Sequence, residues 1–150
     1  MTSFPRLTFA AVFLAFLFSG LRAEVTPFTL PAGAPLATLV LPAGLQLRDV
    51  SLAVSKALVE ESWENLGWEG NVTTATTKAS RVNIKVFALA SAADVKLYAQ
   101  YSSDSGVAAD KCRQTSVREL RSLEKVIAAK LDLAFHKAKT EGAVDQAEAK

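Results

Sequence analysis

The apolar residues between Leu47 and Gly67 recur with the spacing of an α-helix. At about 100° of rotation per residue they fall into two sets on the helical wheel. The first set is Leu47, Val50, Val54, Ala57 and Leu58, and the second is Leu52, Val59, Trp63 and Leu66. Two interpretations are open: the second set is a face kept for a partner, or both sets form one broad buried arc bridged by small serines. We favour the buried arc, with Gly67 as the residue that ends the helix.

After Trp68 the apolar period shortens to two residues, which is the pattern of a strand with one buried face. Apolar and polar residues alternate in RVNIKVFA (81–88) and in DVKLYAQY (94–101), and a weaker strand is expected within 69–77. The connections between these strands are short. The pattern therefore predicts an antiparallel meander that is covered on one side only.

A second helix is predicted after a loop at 102–115. Ser116 and Glu119 have the spacing of a capping box, so the helix is expected to begin at Ser116. Its apolar stripe consists of Val117, Leu120, Leu123, Ile127, Leu131, Ala134 and Phe135. A stripe of this kind is typical of a helix that packs on a sheet. The remaining residues, 139–150, are predicted to be a flexible tail.

The segment 24–46 contains four prolines. Because proline favours extended backbone, this segment is predicted to be an extended leader, with LATLVL at 36–41 as a candidate edge strand. The predicted fold is α+β, with two helices packed on one face of a three-stranded or four-stranded antiparallel sheet. The order of elements is α-β-β-β-α, within one domain at 47–138.

This order resembles the small α-β-β-β-α domains of uncharacterised bacterial envelope proteins, many of which are lipoproteins. The resemblance lies in NLGW at the end of the first helix, in the strands VNIKVFA and VKLYAQYSS, and in the helix VRELRSLEKVI. It covers about 47–135. It implies an envelope protein and brings no active site with it. The lipoprotein members carry a cysteine directly after the signal, which this chain lacks.

The first 23 residues have the three parts of a secretory signal. Arg6 is followed by the apolar run LTFAAVFLAFLF and by small residues in SGLRA. We predict cleavage after Ala23 and a periplasmic or secreted protein. The alternative is an uncleaved anchor, although a spanning helix needs about 20 apolar residues. No later segment has that length and apolarity, so no transmembrane segment is expected after cleavage.

Signal removal changes the charge of the chain. The full sequence has 17 basic and 15 acidic residues, and Arg6 and Arg22 both lie in the predicted signal. The mature chain is therefore formally neutral. A nucleic-acid-binding protein normally has a basic excess, so a nucleic-acid partner is not expected.

Candidate chemistry is confined to two residues, because the chain has one cysteine, Cys112, and one histidine, His136. Cys112 is open to three interpretations: an unpaired thiol without function, half of an intermolecular disulfide, or a nucleophile. We favour the unpaired thiol. One cysteine and one histidine do not form a metal cluster, so no catalytic, cofactor-binding or metal site is predicted.

Charge is distributed unevenly along the chain. Residues 49–69 carry a net charge of −4 and residues 111–139 a net charge of +5. We predict that Arg118, Arg121 and Lys125 form a partner-facing surface for an acidic protein or an anionic envelope surface. The competing interpretation is that the two helices lie side by side and satisfy each other's charge.

The expected function is that of an exported, non-enzymatic envelope protein, a protein-binding or assembly module whose partner is another envelope protein. The alternative is a thiol-dependent factor or enzyme that uses Cys112 in the loop 102–115.

Overall fold

The computed structural model describes residues 29–104 and 106–148, and their side chains as far as Glu141. The predicted signal at 1–23 lies outside the described residues. The elements, in chain order, are the strand β1 (Ala37–Val40), the helix α1 (Leu47–Glu60), the strands β2 (Glu64–Glu69), β3 (Val72–Ala79), β4 (Val82–Ala90) and β5 (Asp94–Ser103), and the helix α2 (Ala109–Glu148).

The strands form one antiparallel sheet in the spatial order β1-β5-β4-β3-β2. The predicted α+β class, with two helices and an antiparallel sheet, is confirmed. The predicted number of strands is wrong, because the sheet has five strands and the order of elements is β-α-β-β-β-β-α. Strands β1 and β2 are the two edges of the sheet. The prediction placed β1 in the leader, outside the domain, and assigned most of β2 to the first helix.

Both helices pack on the same face of the sheet. That face presents alternate residues such as Ala75, Val86 and Leu97, which are all buried. Between sheet and helices lies the core, whose largest fully buried side chains include Leu58, Ile84, Leu97, Leu123 and Ile127. Burying one such side chain contributes about 1.5–3 kcal/mol, so this layer is the main source of stability.

The first helix is shorter than predicted, and Gly67 does not end it. The chain leaves α1 through Ser62, which has a φ of 59°, and the backbone N–H of Trp63 donates to the carbonyl oxygen of Leu58 at 2.8 Å. Gly67 lies within β2, where a Cβ atom would stand 3.0 Å from Oγ1 of Thr74. The glycine therefore permits close approach of two strands.

The predicted leader takes part in the fold. Its residues 37–40 form β1, in which Ala37 pairs with Leu97 and Leu39 with Val95. Leu41 and Leu45 follow the strand and are each only 8% exposed, within the core. The predicted edge strand at 36–41 is thus present, and the part of the leader beyond Thr29 is joined to the domain.

The second helix begins seven residues before the predicted start. The backbone N–H of Cys112 already donates to the carbonyl oxygen of Ala108 at 3.1 Å. Ser116 is inside the helix, where its buried hydroxyl donates to the carbonyl oxygen of Cys112 at 2.9 Å. The capping-box interpretation is therefore wrong, since this serine is satisfied by the preceding turn. Helix α2 extends to Glu148, and the flexibility of 139–150 stays a prediction.

The turn between β4 and β5 is held by Ser91. Its hydroxyl donates to Oδ1 of Asp94 at 2.7 Å and accepts from the backbone N–H groups of Asp94 and Ala93 at 2.9 and 3.1 Å. The Ser91 hydrogen bond is the main reason that the pKa of Asp94 lies below its ordinary value. Partial burial of the carboxyl opposes this effect, and the charge of Lys96 adds to it.

Replacing Ser91 by alanine should raise the pKa of Asp94 toward its ordinary value, because the ionised carboxylate loses its hydroxyl donor. A carboxyl whose folded pKa is lowered contributes stability above its unfolded pKa, and this contribution is lost as the pH falls through the folded pKa. The loss of unfolding free energy caused by Ser91→Ala should therefore become smaller as the pH falls through the folded pKa of Asp94. Side-chain NMR titration measures the shift, with the distant Asp104 as an unchanged control. An Asp94 pKa that stays low would contradict the assignment.

Candidate partner-binding surface

The exposed side of α2 is basic. Arg113, Arg118, Arg121 and Lys125 are exposed and line one surface groove together with the half-buried Val117. We call these four cations the basic surface. Three of them were predicted from the sequence, and the structure adds Arg113, which the sequence analysis had assigned to a loop. They belong to one surface because four-residue spacing along α2 joins Arg113, Arg121 and Lys125 through Val117, and Arg118 lies three residues before Arg121.

Most of the charge on the basic surface is not neutralised within the described residues. Arg118 pairs with Glu119, its neighbour in sequence, at 3.0 Å. No carboxylate of residues 29–104 or 106–141 lies within ion-pair distance of Arg113, Arg121 or Lys125. The surface therefore offers at least three cations to an anionic partner.

The competing interpretation, that the two helices satisfy each other's charge, holds for residues outside the basic surface. The helices do lie side by side, and Glu60 of α1 forms an ion pair with Lys130 of α2. The hydroxyl of Ser122 donates to Oε2 of Glu61 at 2.7 Å. The contact between the helices thus uses Lys130 and Ser122, and it leaves Arg121 and Lys125 outside.

The opposite edge of the molecule is acidic and carries an exposed tryptophan. On β2, Glu64 and Glu69 are exposed on the outer face of the sheet, whereas Trp68 lies on the face that the helices cover and is 63% exposed. The indole N–H of Trp68 donates to the hydroxyl oxygen of Ser55 on α1 at 3.1 Å. This bond orients a large apolar side chain that remains in contact with water. We call Glu64, Trp68 and Glu69 the acidic edge.

The second apolar set is divided between surface and core, so the interpretation as one broad buried arc on α1 is wrong. Leu52 and Val59 are 51% and 63% exposed. Trp63 is buried but lies beyond the end of the helix, and Leu66 lies in β2. The set was divided because α1 stops at Glu60.

A small pocket lies at the β1 end of the sheet, beside the basic surface. It has a volume of about 170 Å³. Its walls come from the segment before β1, from β5 and from α2: Pro31, Ala32, Ala34, Leu36, Tyr98, Ala99, Tyr101, Arg113, Ser116 and Val117. Leu36 and Tyr101 are 49% and 44% exposed, so apolar surface is accessible there. We call this cavity the β1-end pocket.

Cys112 is part of the core. It is free, 3% exposed, and packed in the cluster that includes Leu120 and Leu123. His136 is exposed on the same helix, 24 residues later. At 1.5 Å of rise per residue the two side chains start about 36 Å apart along the helix axis. They cannot form a cysteine–histidine pair within one molecule.

The thiol of Cys112 should react with Ellman's reagent only as fast as the protein opens, because the core shields it. The reaction rate should rise steeply with denaturant and reach that of a free thiol in the unfolded chain. A fast reaction in native buffer would contradict this burial. So would a disulfide-linked dimer on a non-reducing gel.

The described residues hold no group of three histidine, cysteine, aspartate or glutamate side chains placed to bind a metal ion. Over the same part of the chain, neither helix is both long and apolar enough to cross a membrane. Comparison with protein family models, with curated proteins and with solved structures found no match to this chain.

Proposed function

We propose that this chain is an exported, non-enzymatic envelope protein that binds another protein through the basic surface of α2. The observation that carries the proposal is the set of three cations, Arg113, Arg121 and Lys125, that pair with no described carboxylate. The partner chemistry that fits them is an acidic protein segment.

The apolar surroundings support a protein partner over a simple polyanion. An exposed ion pair contributes at most about 1 kcal/mol, so charge alone gives fast association but little affinity. Here the half-buried Val117 lies among the cations, and the β1-end pocket adjoins Arg113. Apolar contacts at the centre of a charged surface are what protein interfaces use for affinity.

The internal position of Cys112 supports a role without thiol chemistry. Its thiol lies in the core, and the only histidine stands far along the same helix. A nucleophile needs an accessible thiolate and a base within hydrogen-bond reach. Neither condition is met by the described side chains.

Site-specific photocrosslinking in cells tests the proposal. A photoreactive residue in place of Gln114, which is exposed within the basic surface, should capture a partner whose acidic segment is then located by mass spectrometry. The double reversal Arg121→Glu and Lys125→Glu should abolish this capture. The matched control is Lys85→Glu with Lys96→Glu on the opposite face of the sheet, which makes the same change in net charge and should leave capture intact.

Two outcomes would overturn the proposal. Capture that survives the double reversal would show that the basic surface is not the interface. Capture of lipid in place of protein, together with binding of the purified protein to phosphatidylglycerol vesicles, would assign the surface to an anionic membrane.

A further inference from the structure

We propose that the acidic segment of the partner binds along α2 as an extended peptide, with one aromatic side chain inserted into the β1-end pocket. This inference rests on the proposed function, because it names the kind of segment that the basic surface receives. Three features of the described residues each specify one part of this ligand.

The β1-end pocket and the basic surface form one continuous site. Arg113 and Val117 line both the pocket and the groove of the basic surface. Arg121 and Lys125 follow Val117 at intervals of four residues, so the four side chains form a single row along α2. A ligand that enters the pocket therefore has the cations directly beside it.

Free backbone groups at the pocket specify a peptide. β5 extends to Ser103, but β1 pairs with it only as far as Leu97, whose carbonyl oxygen accepts from the N–H of Leu36. Alternate residues of a strand direct their backbone groups to the same side, so Ala99 and Tyr101 also direct theirs toward β1. Both residues line the pocket, and none of the described residues forms a backbone hydrogen bond with them on that side. An extended peptide can bond these groups as it does at a sheet edge, whereas a lipid or a polyphosphate lacks the backbone amides.

The pocket itself specifies one aromatic side chain. Its volume of about 170 Å³ is close to that of an apolar cavity that holds a benzene ring, about 150 Å³. Leu36 and Tyr101 present accessible apolar and aromatic surface at its walls. Arg113 lines the same pocket, where its guanidinium can stack on an inserted ring.

The row of cations specifies where the acidic residues lie in the ligand. Measured from Val117 at the pocket wall, Arg121 and Lys125 lie about 6 and 12 Å further along the helix axis. An extended chain advances about 3.3 Å per residue, so carboxylates two and four positions from the aromatic residue reach these cations. Side chains at every second position point the same way, so these carboxylates share the side of the aromatic residue.

Fluorescence anisotropy of labelled peptides with the purified mature chain tests the inference. The probe has a central phenylalanine and aspartates two and four positions away on either side, so that the direction of binding does not matter. Replacing the phenylalanine by alanine should weaken binding about thirtyfold, the loss expected when an anchoring aromatic is truncated. Methylation of the backbone nitrogens beside the phenylalanine should weaken it about fivefold, the effect of one lost hydrogen bond.

A second peptide is the matched control for spacing. Its aspartates stand one and three positions from the phenylalanine, so composition and net charge are unchanged but the carboxylates point away from α2. It should bind about fivefold more weakly, because the ion pairs that it loses are exposed. Added salt should weaken the first peptide more than the second for the same reason.

Variants of the protein locate the site. Tyr101→Ala, and independently Leu36→Ala, should reduce the preference for phenylalanine over alanine in the peptide. Arg121→Glu with Lys125→Glu should remove the preference between the two aspartate spacings. Leu133→Ala, which removes a side chain 67% exposed elsewhere on α2, is the control that should leave both preferences intact. Thermal unfolding checks that each variant is folded.

Equal binding of the phenylalanine and alanine peptides, or binding of neither, would overturn the inference. So would binding that is indifferent to backbone methylation, since that is the behaviour of a simple polyanion. The proposed function is judged separately by crosslinking at Gln114. If capture there stays sensitive to reversal of the basic surface but yields a helical acidic segment or a second copy of this chain, the proposed function stands and the extended peptide is excluded.

Discussion

Replacing Trp63 by alanine is expected to lower the free energy of unfolding by about 3–5 kcal/mol, the range for truncating a buried tryptophan. Trp63 is 5% exposed and lies in the core, directly after α1 turns into β2. The substitution removes a large apolar side chain at the point where helix and sheet meet. Urea unfolding followed by far-ultraviolet circular dichroism measures the change.

The chain contains its own control, because its other tryptophan is exposed. Trp68→Ala should change the free energy of unfolding by about 0.5 kcal/mol or less, as is usual for surface positions. The fluorescence of Trp68→Ala, which retains only Trp63, should be blue-shifted relative to that of Trp63→Ala. Equal destabilisation by both variants would show that the assignment of buried and exposed tryptophan is wrong.

Replacing Leu123 by alanine should be similarly severe, with a loss of about 3 kcal/mol. Leu123 is fully buried on α2, in the cluster that also contains Leu58 of α1 and Leu97 of β5. A cavity at this position opens in the layer where α1, α2 and the sheet pack together. Calorimetric unfolding measures the loss.

Leu133 is the matched control for Leu123, since it belongs to the same helix and is 67% exposed. Leu133→Ala should leave the unfolding temperature nearly unchanged. If Leu133→Ala destabilised the protein as much as Leu123→Ala, the buried side of α2 would have been assigned incorrectly.

The elements that were predicted correctly are those in which periodicity and burial agree. In β4, Val82, Ile84 and Val86 are buried, and they alternate with exposed polar residues. In α2, Leu120, Leu123, Ile127 and Leu131 form the buried stripe that was predicted. Burial of one face of a helix or strand produces such a pattern, so the pattern predicts the element correctly.

The elements that were missed have apolar residues whose spacing fits two structures. Trp63 and Leu66 continue the helical period beyond Glu60, yet the chain reverses at Ser62 and the same residues enter a strand. The sequence contains no proline or glycine at that reversal. Tertiary packing sets the position of this reversal, and the local sequence pattern carries no information about that packing.

Of the candidate site, only the basic residues were predicted from the sequence. Arg118, Arg121 and Lys125 were found because basic residues cluster along one stretch of sequence. The β1-end pocket was not, because it forms only when the segment around Leu36 packs beside Tyr101 and Val117, which are distant in sequence. Trp68 was assigned to the end of a helix, and its exposure followed only from its place on an edge strand.

The pairing of β1 with β5 has a consequence for the order of folding. Ala37 and Leu97 are neighbours in the sheet, but sixty residues of chain separate them. The hairpins from β2 to β5 close through short turns, whereas β1 must close a long loop, which costs more chain entropy and slows folding. During synthesis β1 also emerges long before its partner strand exists. Leu39 and Leu41 therefore stay without their sheet contacts until β5 has emerged, and we expect β1 to dock more slowly than the hairpins close.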